Sequence, residues 1–236
     1  MAESVDWSQR AAKGFLASGI DPADRRGNKN AYIDLLQKLA LEEVLDLKGS
    51  ETVLDFGCGS GRMSYWIAPR VGKVMGLELT LEMIELAERY RRAENVEFMV
   101  YDGVHFPFLP HPVDLVLSVG VLQTMGGEAL RRSISHLAKY LRRGGRFYLI
   151  EQASDNLRIG RPSVETYLHS FRETNLECLR HYAIRNGRGW LLYLIRYGFI
   201  PERFFPHIAR REIQRCRSEK KKISYYQDYL FVLHKK

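Results

Sequence analysis

The sequence of 236 residues predicts a doubly wound α/β domain, in which helices cover both faces of a mostly parallel sheet. Two observations carry this prediction. Between residues 50 and 152, apolar runs of five to seven residues alternate with amphipathic stretches of helical spacing, as is typical of strands that are buried on both faces. The first apolar run leads into VLDFGCGSGR, residues 53 to 62, and a glycine-rich turn from strand to helix is typical of ligand-binding loops in this fold class.

The elements can be predicted in chain order. Residues 1–49 form a helical flank, with a turn at 19–28 and apolar positions at helical spacing in 31–47. Strands one to five are predicted at 52–56, 73–79, 96–102, 113–119 and 146–152. The helices between them are predicted at 63–70, at 81–92 with Thr80 as its cap, and at 128–143, stopped by Gly144 and Gly145.

After residue 152 the pattern changes. A helix is predicted at 163–173, a sixth strand at 176–184 and a last strand at 225–234, with a basic insertion at 187–222 between the two strands. No repeat or linker divides the chain, so we predict one domain over 1–236. Its parts are the flank 1–49, a cofactor-binding core at 50–152 and an acceptor-side region at 153–236.

Charge and composition limit the function classes. The insertion holds ten basic and three acidic residues, so it carries seven of the eight net positive charges of the chain, and an anionic partner is expected there. The sequence begins without the pattern of a secretory leader and has no apolar run of membrane-spanning length, which predicts a cytoplasmic protein. The three cysteines form no CxxC and the seven histidines are scattered, so neither a disulfide framework nor a metal site is expected.

Acidic residues at the strand ends suggest what the glycine-rich loop binds. Glu78 closes the second strand, where a carboxylate can accept hydrogen bonds from both hydroxyls of a ribose. Asp102 closes the third strand and is placed to meet the edge of an adenine. Together with the loop, the two residues predict an adenosine pocket.

The glycine spacing separates two cofactors that contain adenosine. A dinucleotide site has GxGxxG and holds a pyrophosphate at the helix N-terminus. Here the spacing is GxGxG, preceded by Asp55, and a carboxylate aimed at the loop would repel a pyrophosphate but could orient the ammonium of a bound amino acid. The pattern therefore favours S-adenosylmethionine over a nicotinamide dinucleotide.

Five stretches in this order and spacing resemble the successive motifs of class I S-adenosylmethionine-dependent methyltransferases: VLDFGCGSGR, GLELTLEMIELA, VEFMVYDGVHFPF, VDLVLSVGVLQ and LRRGGRFYLIE. The resemblance covers residues 50–152. It implies a sheet of seven strands in the order 3-2-1-4-5-7-6 with the last strand antiparallel, which agrees with the seven strands counted above. It also implies that S-adenosylmethionine is bound and S-adenosylhomocysteine is released.

The resemblance places site residues by their position in the motifs. Around the methionine part it implies Asp55, Gly57, Cys58, Gly59 and Gly61, with Glu78 on the ribose. Around the adenine and beneath the sulfonium it implies Leu79, Met83, Asp102, Gly103, Ser118 and Val119. Tyr32 of the flank is expected to close over the methionine end, and Gln123 is expected to contribute a hydrogen bond.

The catalytic group is predicted less directly. Many relatives that methylate small molecules carry a histidine just after strand four, where this chain has Gln123 and Thr124, and these cannot act as a base near neutral pH. Glu151, which ends strand five, and His207 in the insertion are the candidates. Capping of a neighbouring segment is the alternative role for Glu151.

We expect methyl transfer by in-line displacement to a small molecule, with an oxygen of a sugar, a polysaccharide intermediate or another anionic or lipid-linked metabolite as the acceptor. Carbon methylation of a quinone or lipid is the next alternative. The insertion is expected to cover the acceptor pocket, with Arg210, Arg211, Arg215 and Arg217 holding an anion and the apolar half touching a hydrophobic moiety or a membrane surface. The alternative is a helical cap whose charges are merely solvated.

Two functions of other classes stay open. An RNA methyltransferase is compatible with the net charge, but VGVLQT after strand four differs from the Asn-Pro-Pro-aromatic stretch of exocyclic amine methylation. A cofactor-binding partner protein without catalysis is the other. The sequence does not predict an oligomeric state.

Overall fold

The computed structural model describes residues 6–109, 111–218 and 225–236. Its seven strands are β1 (Thr52–Phe56), β2 (Lys73–Glu78), β3 (Val96–Val100), β4 (Val113–Val119), β5 (Leu141–Ala153), β6 (Leu176–Asn186) and β7 (Gln227–Lys235). Its α-helices are α1 (Trp7–Ala11), α2 (Asn28–Glu42), α3 (Arg62–Ile67), α4 (Leu81–Arg89), α5 (Gly127–Tyr140), α6 (Val164–Arg172), α7 (Trp190–Arg196) and α8 (Phe205–Ser218).

The strands form one sheet in the order β3-β2-β1-β4-β5-β7-β6. β7 pairs antiparallel with both β5 and β6, whereas the other neighbours are parallel. The predicted fold class and strand order are confirmed. The carboxyl ends of β1, β2, β4, β5 and β6 therefore meet at one edge of the sheet, together with the first residues of β7.

The sheet separates two apolar cores, as continuous apolar strands require. Successive strand residues alternate between the cores: Val53 belongs to the one that contains α2, α7 and α8, and Leu54 to the one that contains α5 and α6. Each fully buried Leu or Phe side chain contributes roughly 1.5–3 kcal/mol by leaving water. Burial on both faces thus fixes the strand register at the site.

The boundary between α5 and β5 differs from the prediction. The helix ends at Tyr140 and the strand begins at Leu141, so the prediction that Gly144 and Gly145 stop the helix is wrong. The pairing of β4 with β5 shifts between Val113–Leu141 and Leu115–Arg146. The two glycines lie in this bulge, where an irregular strand needs residues without side chains.

The basic insertion forms α7, a 3-10 turn at Glu202–Phe204 and α8; its predicted residues 219–222 lie outside the described part of the chain. α8 packs against β6 and α2 through Phe205, Ala209, Ile213 and Cys216, which share one helix face. Arg217 on the same helix is paired with Glu43 of the flank. Among the described residues, no helix is both long enough and apolar enough to cross a membrane.

Candidate functional site

The glycine-rich loop joins β1 to α3 and touches two neighbouring strands. The amides of Gly57 and Cys58 donate to the carbonyl of Leu77 in β2 at 2.8 and 3.0 Å. Gly57 has φ +67°, and a Cβ added there would lie 2.4 Å from a methyl group of Val121. Gly59 has φ +53°, and no described heavy atom lies within 4 Å of an added Cβ. The loop is therefore closely packed at its start and open at its middle, where a ligand can approach the backbone.

Glu78 ties this loop to the end of β2. Its Oε2 accepts from the amide of Gly59 at 3.0 Å, and its Oε1 accepts from the amides of Leu79 and Thr80 at 2.8 and 3.3 Å. The side chain is buried, and this burial raises the pKa of the carboxyl above its ordinary value. Thr80 is the N-cap residue that precedes α4, and its side chain makes no cap hydrogen bond. Since Oε2 accepts one bond, it keeps a lone-pair direction for a ligand hydroxyl.

Asp55 lies beneath the loop. Ser64 of α3 donates its hydroxyl proton to Asp55 Oδ2 at 2.5 Å, and burial raises the pKa of the Asp55 carboxyl to about 6. The side chain is 2% exposed. Asp55 therefore fastens α3 to β1, and contact with the ammonium of a bound amino acid remains a prediction.

Leu79, Asp102 and Gly103 lie together on the open side of β2 and β3. Leu79 is 42% exposed, and a Cβ on Gly103 would lie 2.9 Å from its Cδ2. Asp102 accepts from the amides of Val104 and His105 at 2.9 and 2.7 Å. The His105 side chain holds the pKa of this carboxyl well below its usual range. The three predicted adenine residues are thus accessible and adjacent.

Met83, Tyr32 and the Cys58 side chain do not line an open site, contrary to the sequence prediction. Met83 is 1% exposed and packs with Ala11 and Leu86, because α1 lies on α4. The Cys58 thiol is buried, and its Sγ would lie 2.8 Å from a Cβ on Gly76 in β2. Burial also raises the pKa of this thiol well above its ordinary value.

Tyr32 is 1% exposed, and its hydroxyl donates to Glu212 Oε2 of α8 at 2.6 Å. Its ring meets Phe205 edge-on, and burial strongly raises the pKa of the phenol. Tyr32 therefore fixes α2 to α8 and does not cover the methionine end.

Other flank residues reach the loop instead. Ser60 donates its hydroxyl proton to the carbonyl of Phe15 at 2.5 Å. Arg62, which begins α3, is buried and donates to Asp34 Oδ1 and Gln37 Oε1 at 2.9 and 2.7 Å. Arg62 was not predicted from the sequence, because its partners lie 25 and 28 residues away and no local pattern marks them.

Glu151 holds the loop that follows β4. Its Oε1 accepts from the Ser118 hydroxyl and the Val121 amide at 3.3 and 3.2 Å, and its Oε2 accepts from the Gln123 amide at 3.0 Å. The Gln123 side chain in turn accepts from the amide of Gln152 at 2.6 Å. Burial raises the pKa of the Glu151 carboxyl to about 7. Glu151 thus caps the turn Leu122–Thr124, which also brings Val121 onto Gly57.

A cavity of about 70 Å³ lies at the carboxyl ends of β4 and β5, beside β6 and β7. Polar residues dominate its lining, which includes Gly120, Gln123, Glu151, Gln152, Arg185 and Asp228, together with Val119. Arg185 Nε lies 2.8 Å from Asp228 Oδ2, and both side chains are almost fully buried. Asp228 Oδ1 is buried too, and it has no hydrogen-bond partner among the described residues.

Arg185 and Asp228 were not predicted from the sequence either. They face each other across the β6–β7 ladder. In the sequence, the sign of this ion pair is a basic residue near the end of one predicted strand and an acidic residue near the start of the next. Using that signal requires the strand register, which composition does not supply.

A second opening, which we call the basic cleft, lies between the flank and α7. It encloses about 410 Å³, and its walls carry Arg10, Lys29, Arg188, Arg196, Tyr193 and Tyr225. The basic cleft and the cavity are adjacent, because Ile20, Lys29 and Tyr226 line both.

Several candidates from the insertion lie elsewhere. His207 is exposed on α8, and it lines neither the cavity nor the basic cleft. The same holds for Arg210, Arg211, Arg215 and Arg217. The structure therefore does not bring His207 to Glu151, and the insertion contributes Arg188 and Arg196 instead of the four predicted arginines. Within the described ranges, no three His, Cys, Asp or Glu side chains are grouped as metal ligands; the absence of a metal and the cytoplasmic location stay predictions.

Comparison with known sequences supports a common core. Residues 53–145 match the family model described as a methyltransferase domain. Methyltransferase GfsG of Streptomyces halstedii is 27% identical over 139 residues, which cover 57% of this chain and 47% of that protein. The chain spans less than half of the length of the first curated relatives that it matches.

Comparison with solved structures supports the same fold. Geranyl diphosphate C-methyltransferase from Streptomyces coelicolor A3(2) is 16% identical with a TM-score of 0.65, over the full length of both chains. The [4+2]-cyclase SpnF is 19% identical with a TM-score of 0.63, over 86% of this chain and 80% of that chain. At such identities the likeness shows the fold alone.

Proposed function

Since this chain belongs to the class I S-adenosylmethionine-dependent methyltransferases, we propose that it transfers a methyl group to an oxygen of a small anionic acceptor. The observation that carries the acceptor chemistry is the buried Asp228 oxygen without a described partner in a cavity at the carboxyl ends of the strands. The glycine-rich loop and Glu78 carry the cofactor assignment.

The residues at the glycine-rich loop fit S-adenosylmethionine. Gly59 leaves its backbone open, Glu78 Oε2 keeps an acceptor direction for a ribose hydroxyl, and Leu79 offers an exposed apolar surface for the adenine beside Asp102. When bound, the cofactor supplies a methyl group on a positively charged sulfur, which a nucleophile can displace directly. The work of the protein is then to position the acceptor and to exclude water.

Asp228 is suited to hold the acceptor hydroxyl. A buried carboxylate oxygen without a hydrogen bond is costly, and a hydroxyl group that donates to Oδ1 would remove this cost. As that hydroxyl is methylated, its proton can pass to Oδ1 while Oδ2 keeps its bond to Arg185. Glu151 is less suited to this step, because both of its oxygens already accept bonds from the loop after β4.

The charge around the cavity favours an anion over an amine. Arg10, Lys29, Arg188 and Arg196 line the adjacent basic cleft, and they would repel an ammonium ion on its way to the cavity. The phosphate, sugar or lipid nature of the acceptor remains part of the proposal.

Isothermal titration tests the cofactor half of the proposal. We expect the protein to bind S-adenosylmethionine and S-adenosylhomocysteine but not NADH. The Glu78→Ala variant should bind neither of the first two. Glu82→Ala removes the same charge from the exposed start of α4 and should leave both affinities unchanged. Binding of NADH alone would refute the assignment.

Formation of S-adenosylhomocysteine tests the transfer half. It should be measured with a panel of phosphorylated sugars, alkyl phosphates and their neutral parent alcohols. Turnover with an anionic hydroxyl compound is the expected result. Cofactor binding without turnover on any compound, or turnover on amines only, contradicts the proposed acceptor.

A further inference from the structure

The basic cleft carries far more positive than negative charge. Arg10, Lys29, Arg188 and Arg196 face Asp21 as the acidic residue of its lining. The formal charge of these five groups is +3, so a ligand with one negative charge would leave most of it uncompensated. This points to a ligand group that carries two or three negative charges.

Two of the cations are held in place before any ligand binds. Asp21 Oδ2 lies 2.6 Å from Lys29 Nζ and 3.5 Å from Arg196 Nη1. Arg196 also donates from Nη2 to the carbonyl of Ala23 at 2.6 Å. These contacts join α7 to the flank and fix both side chains, so that little side-chain entropy is lost when an anion binds.

The other two cations have capacity for a ligand. The Arg188 guanidinium stacks over Tyr225 at 4.0 Å and makes no ion pair with a described carboxylate. Arg10 donates from Nε to the carbonyl of Ser18 at 2.9 Å, which leaves its terminal N–H groups for another acceptor. Partial burial lowers the pKa of Arg10, and a bound anion would oppose this effect.

We propose that the basic cleft is the anion subsite of the acceptor and that it takes a phosphate monoester or diphosphate group. The proposal rests on the proposed function, since it names the chemistry of that acceptor. Guanidinium groups match phosphate oxygens in pairs, and a diphosphate balances a formal charge of +3. A nucleic acid backbone fits less well, because the four cations line one cleft and do not form a stripe along which several successive phosphates could lie.

The position of the subsite leaves the rest of the ligand in reach of the cavity. Lys29 and Tyr226 line both openings, so a phosphate held in the cleft lies next to the space that contains Asp228. Tyr193 and Leu192 add an apolar wall to the cleft, against which a sugar ring or hydrocarbon can pack. The anion thereby sets which hydroxyl of the acceptor enters the cavity.

Titration of the full chain with sodium pyrophosphate, in the presence and absence of S-adenosylhomocysteine, tests this subsite. We expect saturable binding that weakens with added NaCl and falls by about tenfold or more in Arg188→Gln, the loss typical of one charged hydrogen bond. Arg210→Gln is the matched control, because it removes an exposed arginine from the same insertion outside the cleft. Arg196→Gln is a second variant, with thermal unfolding measured alongside because of its contacts to Asp21 and Ala23.

The outcomes separate this inference from the proposed function. No pyrophosphate binding, or equal losses in Arg188→Gln and Arg210→Gln, overturns the subsite, whatever the result with S-adenosylhomocysteine. Pyrophosphate binding that depends on Arg188 upholds it, even if no methyl transfer is found. Tighter binding of bulk tRNA than of pyrophosphate, equally weakened by both variants, would assign the charge to nucleic acid and overturn it.

A vesicle experiment identifies the source of the phosphate. Cosedimentation with phosphatidate vesicles that pyrophosphate competes away, and that Arg188→Gln reduces, supports the subsite with a lipid-borne phosphate. Pyrophosphate binding without cosedimentation supports it with a soluble phosphate ester. Vesicles of phosphatidylcholine alone serve as the uncharged control.

Discussion

Gly57→Ala is the substitution whose effect the structure defines most sharply. The new methyl group would lie 2.4 and 2.8 Å from the two methyl groups of Val121. Val121 cannot easily withdraw, because its amide is bound to Glu151 and its turn is held by the Gln123 amide as well. The backbone at Gly57 must also keep φ +67° with a side chain present.

These two effects set the expected loss in the free energy of unfolding. A non-glycine residue in the left-handed region costs roughly 1–2 kcal/mol, and overpacking against a fixed neighbour costs roughly 1–3 kcal/mol. Gly57→Ala should therefore reduce the free energy of unfolding by about 2–5 kcal/mol. Gly59→Ala meets no described neighbour within 4 Å, so only the backbone cost of about 1–2 kcal/mol applies.

Urea unfolding of the two variants, of Val121→Ala and of the double variant Gly57→Ala/Val121→Ala measures both effects. In the double variant the nearest Val121 atom is its Cβ, at 3.1 Å from the new methyl group. Most of the overpacking should then disappear, and the double variant should be more stable than the sum of the single changes by roughly 1–3 kcal/mol.

The affinity for S-adenosylhomocysteine should distinguish the two glycines in the opposite way to stability, because Gly59→Ala should have the larger effect. Gly59→Ala fills the open space at the middle of the loop, so it should weaken the binding of S-adenosylhomocysteine by at least about tenfold in a protein that remains folded. Equal destabilisation by Gly57→Ala and Gly59→Ala, or strict additivity with Val121→Ala, would refute this account of the loop.

Three further predictions concern the buried charges. Asp228→Asn should lower turnover by roughly 100-fold, the usual contribution of a positioned base, with S-adenosylhomocysteine affinity unchanged; a parallel loss of that affinity in titration would contradict the assignment. Folding raises the pKa of Glu151 from 4.5 to about 7, so the folded protein binds a proton in this range and its free energy of unfolding should fall as the pH rises from 4.5 to 7, by up to about 1.4 kcal/mol per pH unit. The urea midpoints of wild type and Glu151→Gln should therefore differ at pH 7.5 and converge at pH 5. An equal difference at both pH values would exclude the effect. Arg185→Met should cost about 3–5 kcal/mol by leaving Asp228 buried without its partner, and Arg185→Met/Asp228→Leu should recover most of it; no recovery in thermal unfolding would mean that the pair is not the cause.

The strands and the loop could be predicted because their signals are local, whereas the strand order was implied by the resemblance to the methyltransferase motifs. A strand that is buried on both faces reads as a continuous apolar run, and each boundary is marked by glycine or by a charged residue such as Glu78. The bulge in β5 escaped prediction because Gly144 and Gly145 are equally compatible with the end of a helix. The difference is decided by pairing with β4, which no window of the sequence contains.

Side-chain placement on helices was predicted less well. Met83 and Tyr32 lie on amphipathic helices, and the sequence indicates which residues share a helix face but not which partner that face meets. Met83 meets α1, and Tyr32 meets Glu212 on a helix 180 residues away. Residues whose role depends on contacts between distant segments, such as Arg62 and Asp228, were missed for the same reason.

The walls of the basic cleft come from segments outside residues 53–145, the stretch that matches the methyltransferase-domain family. In the proposed function, the anion subsite and the cofactor loop are thus carried by separate parts of the chain, whereas the adjoining cavity takes Gln123 from the matched stretch and Asp228 from outside it. A chimera that exchanges residues 187–196 alone would be expected to change the acceptor and keep the cofactor. On the proposed function, the anionic group that the protein accepts can change through substitutions in the basic cleft alone, while β1 to β4 stay the same.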